Sequence, residues 1–310
     1  MRFNVLLDVR RIACHLHRSF QTMRFVQFEE GGRRRVGVEK EDGGDVVDLS
    51  AFDKNIPTDM RSFLEGGQPM IQAAKSAVES GNSSLILKRD SVKLLAPVTN
   101  PDKVLCVGMN YVDHCAEQNQ PVPTEPVLFS KFPSTIIASG DDLQYPEETQ
   151  ELDWEVEMVI VIGKGGKKIS ENEAMSHVFG YTVAHDVSAR DWQMRRNGGQ
   201  YLVGKSMDCF CPLGPAIVMK EDLSDPHNLG LRCRVNGVTK QDSNTKNLVF
   251  KTESIIAFVS RLFTLKAGDI ILTGTPPGVG CFRKPPEYLK RGDVVEVEVD
   301  QIGKVVNKVV

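Results

Sequence analysis

The sequence predicts a mixed, β-rich α/β fold, with a small α+β domain ahead of a larger β-rich region. Three observations predict it. Short apolar or alternating runs recur through the second two-thirds of the chain with few long helices between them, which argues against a doubly wound parallel sheet. Asn236-Gly237 lies between two alternating segments, a strong two-residue hairpin signal. No GxGxxG or GxxxxGK[ST] loop stands between a strand and a helix, so a nucleotide-binding frame has no support.

The elements follow in order. Residues 1–22 carry Arg2, Arg10, Arg11 and Arg18 against one acid, Asp8, with Val5, Val9, Ile12 and Leu16 near helical spacing. Arg-rich, amphipathic and nearly acid-free describes a mitochondrial transit segment; the alternative is a tail without that role, in a cytoplasmic protein. A small domain is expected over 23–97. Strands are predicted over 24–30, 34–39 and 46–49, separated by glycine-bearing turns. Helices follow over 59–64 and 70–79, with Pro69 in the first turn of the second and Gly81 at its end. Residues 98–310 form the larger region. Strands are predicted there over 104–107, 155–162, 181–184, 231–235, 270–273, 294–299 and 304–310, with one helix over 253–263 capped by Thr252.

Composition narrows the function. The 310 residues carry a net charge of -3 with acids and bases intermixed, which disfavours nucleic acid as a partner. No run approaches the roughly 20 apolar residues a membrane span needs. The seven cysteines form no paired CxxC pattern and read as reduced intracellular thiols.

The chemistry collects in the larger region. In LDWEVEMVIVIG, Glu155 and Glu157 are two apart and share a strand face, with Val159 and Val161 continuing it and Val156, Met158, Ile160 and Ile162 opposite. Carboxylates leading into such a strand are costly unless solvated, paired or metal-bound. The same spacing recurs at Glu296 and Glu298, where nothing chemical surrounds it and a wet face is expected. Next comes GYTVAHDVSARDWQ, a strand ending in polar groups. Glu155, Glu157 and Asp186 would supply three hard oxygen ligands, suited to Mg²⁺ or Mn²⁺. His185 reads as a packing residue, because soft ligands are otherwise missing.

Lys205, after a strand-like YLVG, is either a solvated loop charge or a partner for substrate carboxylate or enolate charge. The glycines of LTGTPPGVG, residues 272–280, allow close backbone approach to an anion, with Thr275 a hydroxyl donor; a rigid turn is the equal alternative. His114 and Glu117, three apart in GMNYVDHCAEQ, would share a helix face, as a surface ion pair or as a base with its orienting acid. Lys131, in VLFSKFPS, is a further carboxylate partner, counted with the substrate-binding residues.

YVDHCAE, LDWEVEMVIVIGK, GYTVAHDVSARDWQ, GKSMDCFCPLGP and LTGTPPGVG, in that order, resemble the catalytic domain of the fumarylacetoacetate hydrolase family. The whole chain is similar to the fumarylacetoacetate hydrolase domain-containing protein 2 group. The resemblance implies a β-roll or barrel-like catalytic fold over 98–310, a homodimer, and Mg²⁺ or Mn²⁺ held by Glu155, Glu157 and Asp186. It also implies that His114 and Glu117 are the lid pair, that Lys205 is the active-site lysine, and that Gln193 and Thr275 contact substrate. Arg190 would contact substrate or brace the metal strand. His185 departs from the asparagine that close relatives often carry there.

The expected activity is oxaloacetate tautomerisation, enol to keto through a metal-stabilised enolate, on a small 2-oxo acid in the mitochondrial matrix. An acylpyruvate hydrolase or oxaloacetate decarboxylase is the alternative, kept open by the intact His114 and Glu117.

Overall fold

A computed structural model of the chain describes residues 22–310. The transit reading of 1–22 lies, but for Thr22, outside the described residues. Two sheets organise the rest. The large one has twelve strands. Its main path runs Ile86–Leu87, Val46–Asp48, Arg33–Glu39, Arg24–Glu30, Cys211–Met219, Val178–His185, Val156–Ile162, Ile270–Leu272, Val104–Gly108 and Val127–Lys131. The second has five, ordered Val238–Asn244, Gly230–Val235, Val294–Val299, Gly303–Val309 and Asp142–Leu143.

The alternation in Val156–Ile162 decides how these layers pack. Every residue of the strand is buried. Val156, Met158, Ile160 and Ile162 join a core with Val295, Val297 and Val299 of the small sheet and Ile255, Ile256 and Val259 of the helix Thr252–Leu262. Val159 and Val161 face the other way, onto a core shared with Phe25, Val36, Met60 and Phe63. Burying such side chains is worth about 1.5–3 kcal/mol each, so the strand is pinned from both sides. The N-terminal strands are joined to this sheet through backbone pairing, Arg24 opposite Val218 and Phe25 opposite Ile217.

Several local predictions differ from what is seen. YLVGK is a one-turn helix, Tyr201–Lys205, and not the end of a strand. Cys211–Met219 is a nine-residue strand despite Pro212 and Pro215, which signal a loop. Thr252 does not cap its helix with its hydroxyl; it is the first helical residue, and its N–H donates to His227 Nε2 at 3.3 Å. The Asn236-Gly237 hairpin forms as predicted, both residues having positive φ (52° and 76°).

Candidate metal centre and lid

Strand register assembles the centre. Val156–Ile162 pairs antiparallel with Val178–His185, Glu157 opposite Ala184 and Val156 opposite His185. One step further, the Asp186 N–H donates to the Glu155 carbonyl at 3.0 Å. Glu155 and Asp186 are therefore cross-strand neighbours, and Glu157 follows on the same face. One oxygen from each of the three carboxylates lies within 4.8 Å of the others, and all three side chains are buried.

Cations compensate this cluster unequally. Lys205 Nζ donates to Glu155 Oε2 at 2.8 Å and to Asp186 Oδ2 at 2.9 Å. Lys131 Nζ reaches Asp186 Oδ1 at 2.5 Å and the Val187 carbonyl at 3.1 Å. Arg190 Nη2 comes within 2.7 Å of Glu155 Oε1 without hydrogen-bond alignment. Burial pushes the Glu155 carboxyl up, but Lys205 and Arg190 together outweigh it and hold it at about 2. Burial also drives Glu157 upward, and Asp186 and Glu155 add to it; its own polar partner is the Gly274 N–H at 2.6 Å. Burial opposes charge on Lys205, yet Asp186 and Glu155 keep its ammonium above the usual lysine value. Three hard oxygen donors crowded together, one of them short of positive charge, fit a divalent cation. His185 stays outside the cluster. Burial holds its imidazole down at about 3 against the pull of Asp186, so it packs as a neutral ring.

Opposite the cluster stands the helix Val112–Glu117. His114 Nδ1 lies 2.7 Å from Glu117 Oε2, and Glu117 Oε1 accepts from the Gly278 N–H at 2.8 Å. A carboxylate only accepts, so Nδ1 carries the proton, and in the neutral imidazole Nε2 is the nitrogen with the lone pair. Gln118 Nε2 lies 2.7 Å from that lone pair. Asp113 ties the helix down, accepting from Ser243 Oγ and Asn247 Nδ2.

Between cluster and helix lies a narrow cavity of about 60 Å³. His114, Glu155, Glu157, Arg190, Gln193, Lys205 and Thr275 all line it. Lys131 and Asp186 are behind this wall, and Glu117 reaches it only through His114. The hydroxyl of Thr275 is spent inside the protein, donating to the Val156 carbonyl and accepting from Gln241 Nε2.

The glycine loop does bind anions, but they are the protein's own carboxylates. Gly274 donates to Glu157, Gly278 to Glu117, and Gly280 to Asp153 Oδ1 at 2.7 Å. Side chains are excluded where this happens: a Cβ on Gly278 would strike the Lys240 carbonyl, and one on Gly280 the Glu287 carbonyl.

Three contributors escape the sequence reading. Asp153 accepts Arg190 Nε at 2.8 Å and orients the guanidinium. Its signal was present, since Asp153, Glu155 and Glu157 alternate in one run. Gln118 was findable as the residue one turn beyond His114. Gln241, which stitches the Val156 N–H to Thr275 and the Pro276 carbonyl, lies in a polar strand that reads as solvent-facing.

A buried carboxylate centre under a His-Glu helix, built on a mixed β-rich sheet pair, defines the class. The family model described as fumarylacetoacetate (FAA) hydrolase C-terminal matches residues 103–310, and the chain belongs to this family. The particular relatives are informative. Oxaloacetate tautomerase fahd2, mitochondrial, of Xenopus laevis is 58% identical, covering 93% of this chain and 91% of that protein. Among solved structures, the fumarylacetoacetate hydrolase of Exiguobacterium antarcticum is 38% identical with a TM-score of 0.80, covering 93% of this chain and 99% of that one. Maleylpyruvate hydrolase of Sphingobium sp. SYK-6, in complex with manganese (II) ion and pyruvate, is 27% identical with a TM-score of 0.75, at the same coverage.

Proposed function

We infer that the chain is a mitochondrial oxaloacetate tautomerase, a metal-assisted isomerase that returns enol-oxaloacetate to the keto form. The observation that carries this is the buried Glu155–Glu157–Asp186 cluster in a chain 58% identical to the Xenopus tautomerase. Mg²⁺ suits the all-carboxylate donor set, with Mn²⁺ as the other candidate; the Sphingobium relative, which holds manganese and pyruvate, supports a 2-oxo acid beside such an ion. Bound there, the ion supplies positive charge to the substrate oxygens and so favours the enolate.

The chain's own residues account for the rest. In the conversion a proton leaves the C2 hydroxyl and a proton is delivered to C3. His114 is the carrier, with Nε2 turned to the cavity because Glu117 holds Nδ1–H. Lys205 spends two of its three N–H donors on Glu155 and Asp186; the third is available to the developing oxyanion. Gln193 gives its oxygen to Arg190 Nη1 at 2.8 Å, which leaves its amide N–H groups for substrate. Lys131 acts through Asp186, and Arg190 through Glu155. Thr275 forms cavity wall.

The reading includes a homodimer, supported by the exposed apolar side chains Phe132, Met194 and Leu202, and a catalytic domain over 98–310. The test is the ultraviolet decay of fresh enol-oxaloacetate, with and without enzyme and Mg²⁺, with pyruvate assayed in parallel. Faster enol loss without pyruvate is expected. Pyruvate appearing in step would make the protein a decarboxylase. No effect on either would move the search to acylpyruvates, where the His114–Glu117 pair would activate water.

A further inference from the structure

The cationic donors of the cavity wall are nearly all committed. Arg190 gives Nε to Asp153 and Nη1 to Gln193, and turns Nη2 on Glu155. Lys205 is divided between Glu155 and Asp186. Among the described residues, no other lysine or arginine lines the cavity. A four-carbon 2-oxo dicarboxylate brings two carboxylates. The one beside the oxo group belongs with the metal cluster and Lys205. The distal one is then left to the side of the cavity under the lid helix, where among the described residues no further lysine or arginine stands.

What stands there is Gln118. Its backbone closes the lid helix, with N–H donating to the His114 carbonyl at 3.2 Å, and its side chain lines the cavity. One amide N–H lies on the His114 Nε2 lone pair. Among the described residues, the second N–H has no partner. The contact on Nε2 is also an obstacle, since a base whose lone pair is already in use cannot take the C2 hydroxyl proton and so has none to deliver to C3.

We propose that Gln118 is a specificity-determining residue that reads the distal carboxylate of a four-carbon 2-oxo dicarboxylate and releases His114 Nε2 as it does so. The carboxylate is the stronger acceptor, because hydrogen bonds to charged groups are roughly twice as strong as neutral ones. A monocarboxylic 2-oxo acid binds at the metal end and leaves Gln118 on His114. The proposal rests on the oxaloacetate reading of the site and supplies its chain-length and charge selectivity.

The test compares oxaloacetate with pyruvate, which share the 2-oxo acid head and differ in the distal carboxylate. Both are titrated calorimetrically into the Mg²⁺-loaded full chain and into Gln118→Met, which keeps length and removes the donors. The expected result is an unchanged pyruvate affinity and a loss of about ten- to hundred-fold in the preference for oxaloacetate. In the enol-decay assay the same variant should raise KM for enol-oxaloacetate. An unchanged preference overturns the proposal, as does an equal loss for both ligands, which would mean general damage to the pocket. A wild-type chain that prefers oxaloacetate in titration but fails to turn over its enol would sink the tautomerase reading and leave the Gln118 assignment standing.

Discussion

Two glutamate pairs with identical spacing end in opposite circumstances. Glu157 lies inside the large sheet and Glu155 just ahead of the same strand, both with almost no exposure. Glu296 and Glu298 lie on the outer face of Val294–Val299, where Val295, Val297 and Val299 take the core. Across that outer pair, Arg234 Nη1 contacts Glu296 and lies 2.7 Å from Glu298, and Lys304 Nζ lies 3.1 Å from Glu296. The outer acids meet long, partly solvated cations in an ordinary cross-strand pattern. The inner acids crowd one another and Asp186, and buried cations reach Glu155 but not Glu157. Spacing fixes which face a carboxylate takes, and the neighbouring strand fixes what that face becomes.

The largest expected effect breaks the inner pair. Glu157→Gln keeps the shape and removes a charge; kcat/KM for enol-oxaloacetate should fall by at least about a hundred-fold, while Glu296→Gln stays within about two-fold of wild type. If the two variants behave alike, the contrast has no catalytic meaning.

Asp153→Asn comes next. It leaves Arg190 with one carboxylate partner in place of two, and a loss of about ten- to hundred-fold is expected, the size seen when outer partners of a metal site are removed. Arg190→Lys should not restore activity in that background, because the guanidinium serves three partners at once.

Metal linkage sharpens the comparison without turnover. At Mg²⁺ about a hundred times its dissociation constant, stabilisation is about 2.7 kcal/mol. Differential scanning calorimetry should show Tm falling by several degrees on chelation for wild type and for the Glu296→Gln, Glu298→Gln double variant. The Glu155→Gln, Glu157→Gln double variant should show no such fall.

A smaller, separate effect belongs to His227. Burial lowers its folded value below the ordinary imidazole range. It accepts the Thr252 N–H at the start of the helix Thr252–Leu262. The unfolded chain takes up this proton more readily, so the contribution is fully present above about pH 6.5. It is lost as the pH falls from there through the folded value. His227→Asn should flatten the Tm profile between pH 7 and 5. Last, Glu298→Gln should cost no more than about 1 kcal/mol in chemical denaturation, as exposed pairs do.

Much of the centre was legible because its signals are local. Alternation placed Glu155 and Glu157 on one face, and a strand ending in charge placed Asp186. Helical spacing paired His114 with Glu117. What escaped depends on contacts between distant segments. Lys131 is counted from sequence with the substrate-binding set, yet it stands behind Asp186, a position fixed only by the folded sheet. The hydroxyl of Thr275 reads as a donor to substrate, but Gln241, on a different sheet, takes part in holding it. Cys211–Met219 lies in the middle of the large sheet although its two prolines signal a loop, because its other residues bury on both sides.

The glycine loop also ties the site to the far end of the chain. Its N–H groups on Glu157, Glu117 and Asp153 bridge 117, 161 and 127 residues of chain. A polypeptide threading into a compartment, or emerging from a ribosome, exposes all three acids long before residue 280 arrives to meet them. Until then Glu117 and Asp153, which orient His114 and Arg190, lack their backbone donors from the loop. The three acids of the site are fully held only once residues 274–280 are in place.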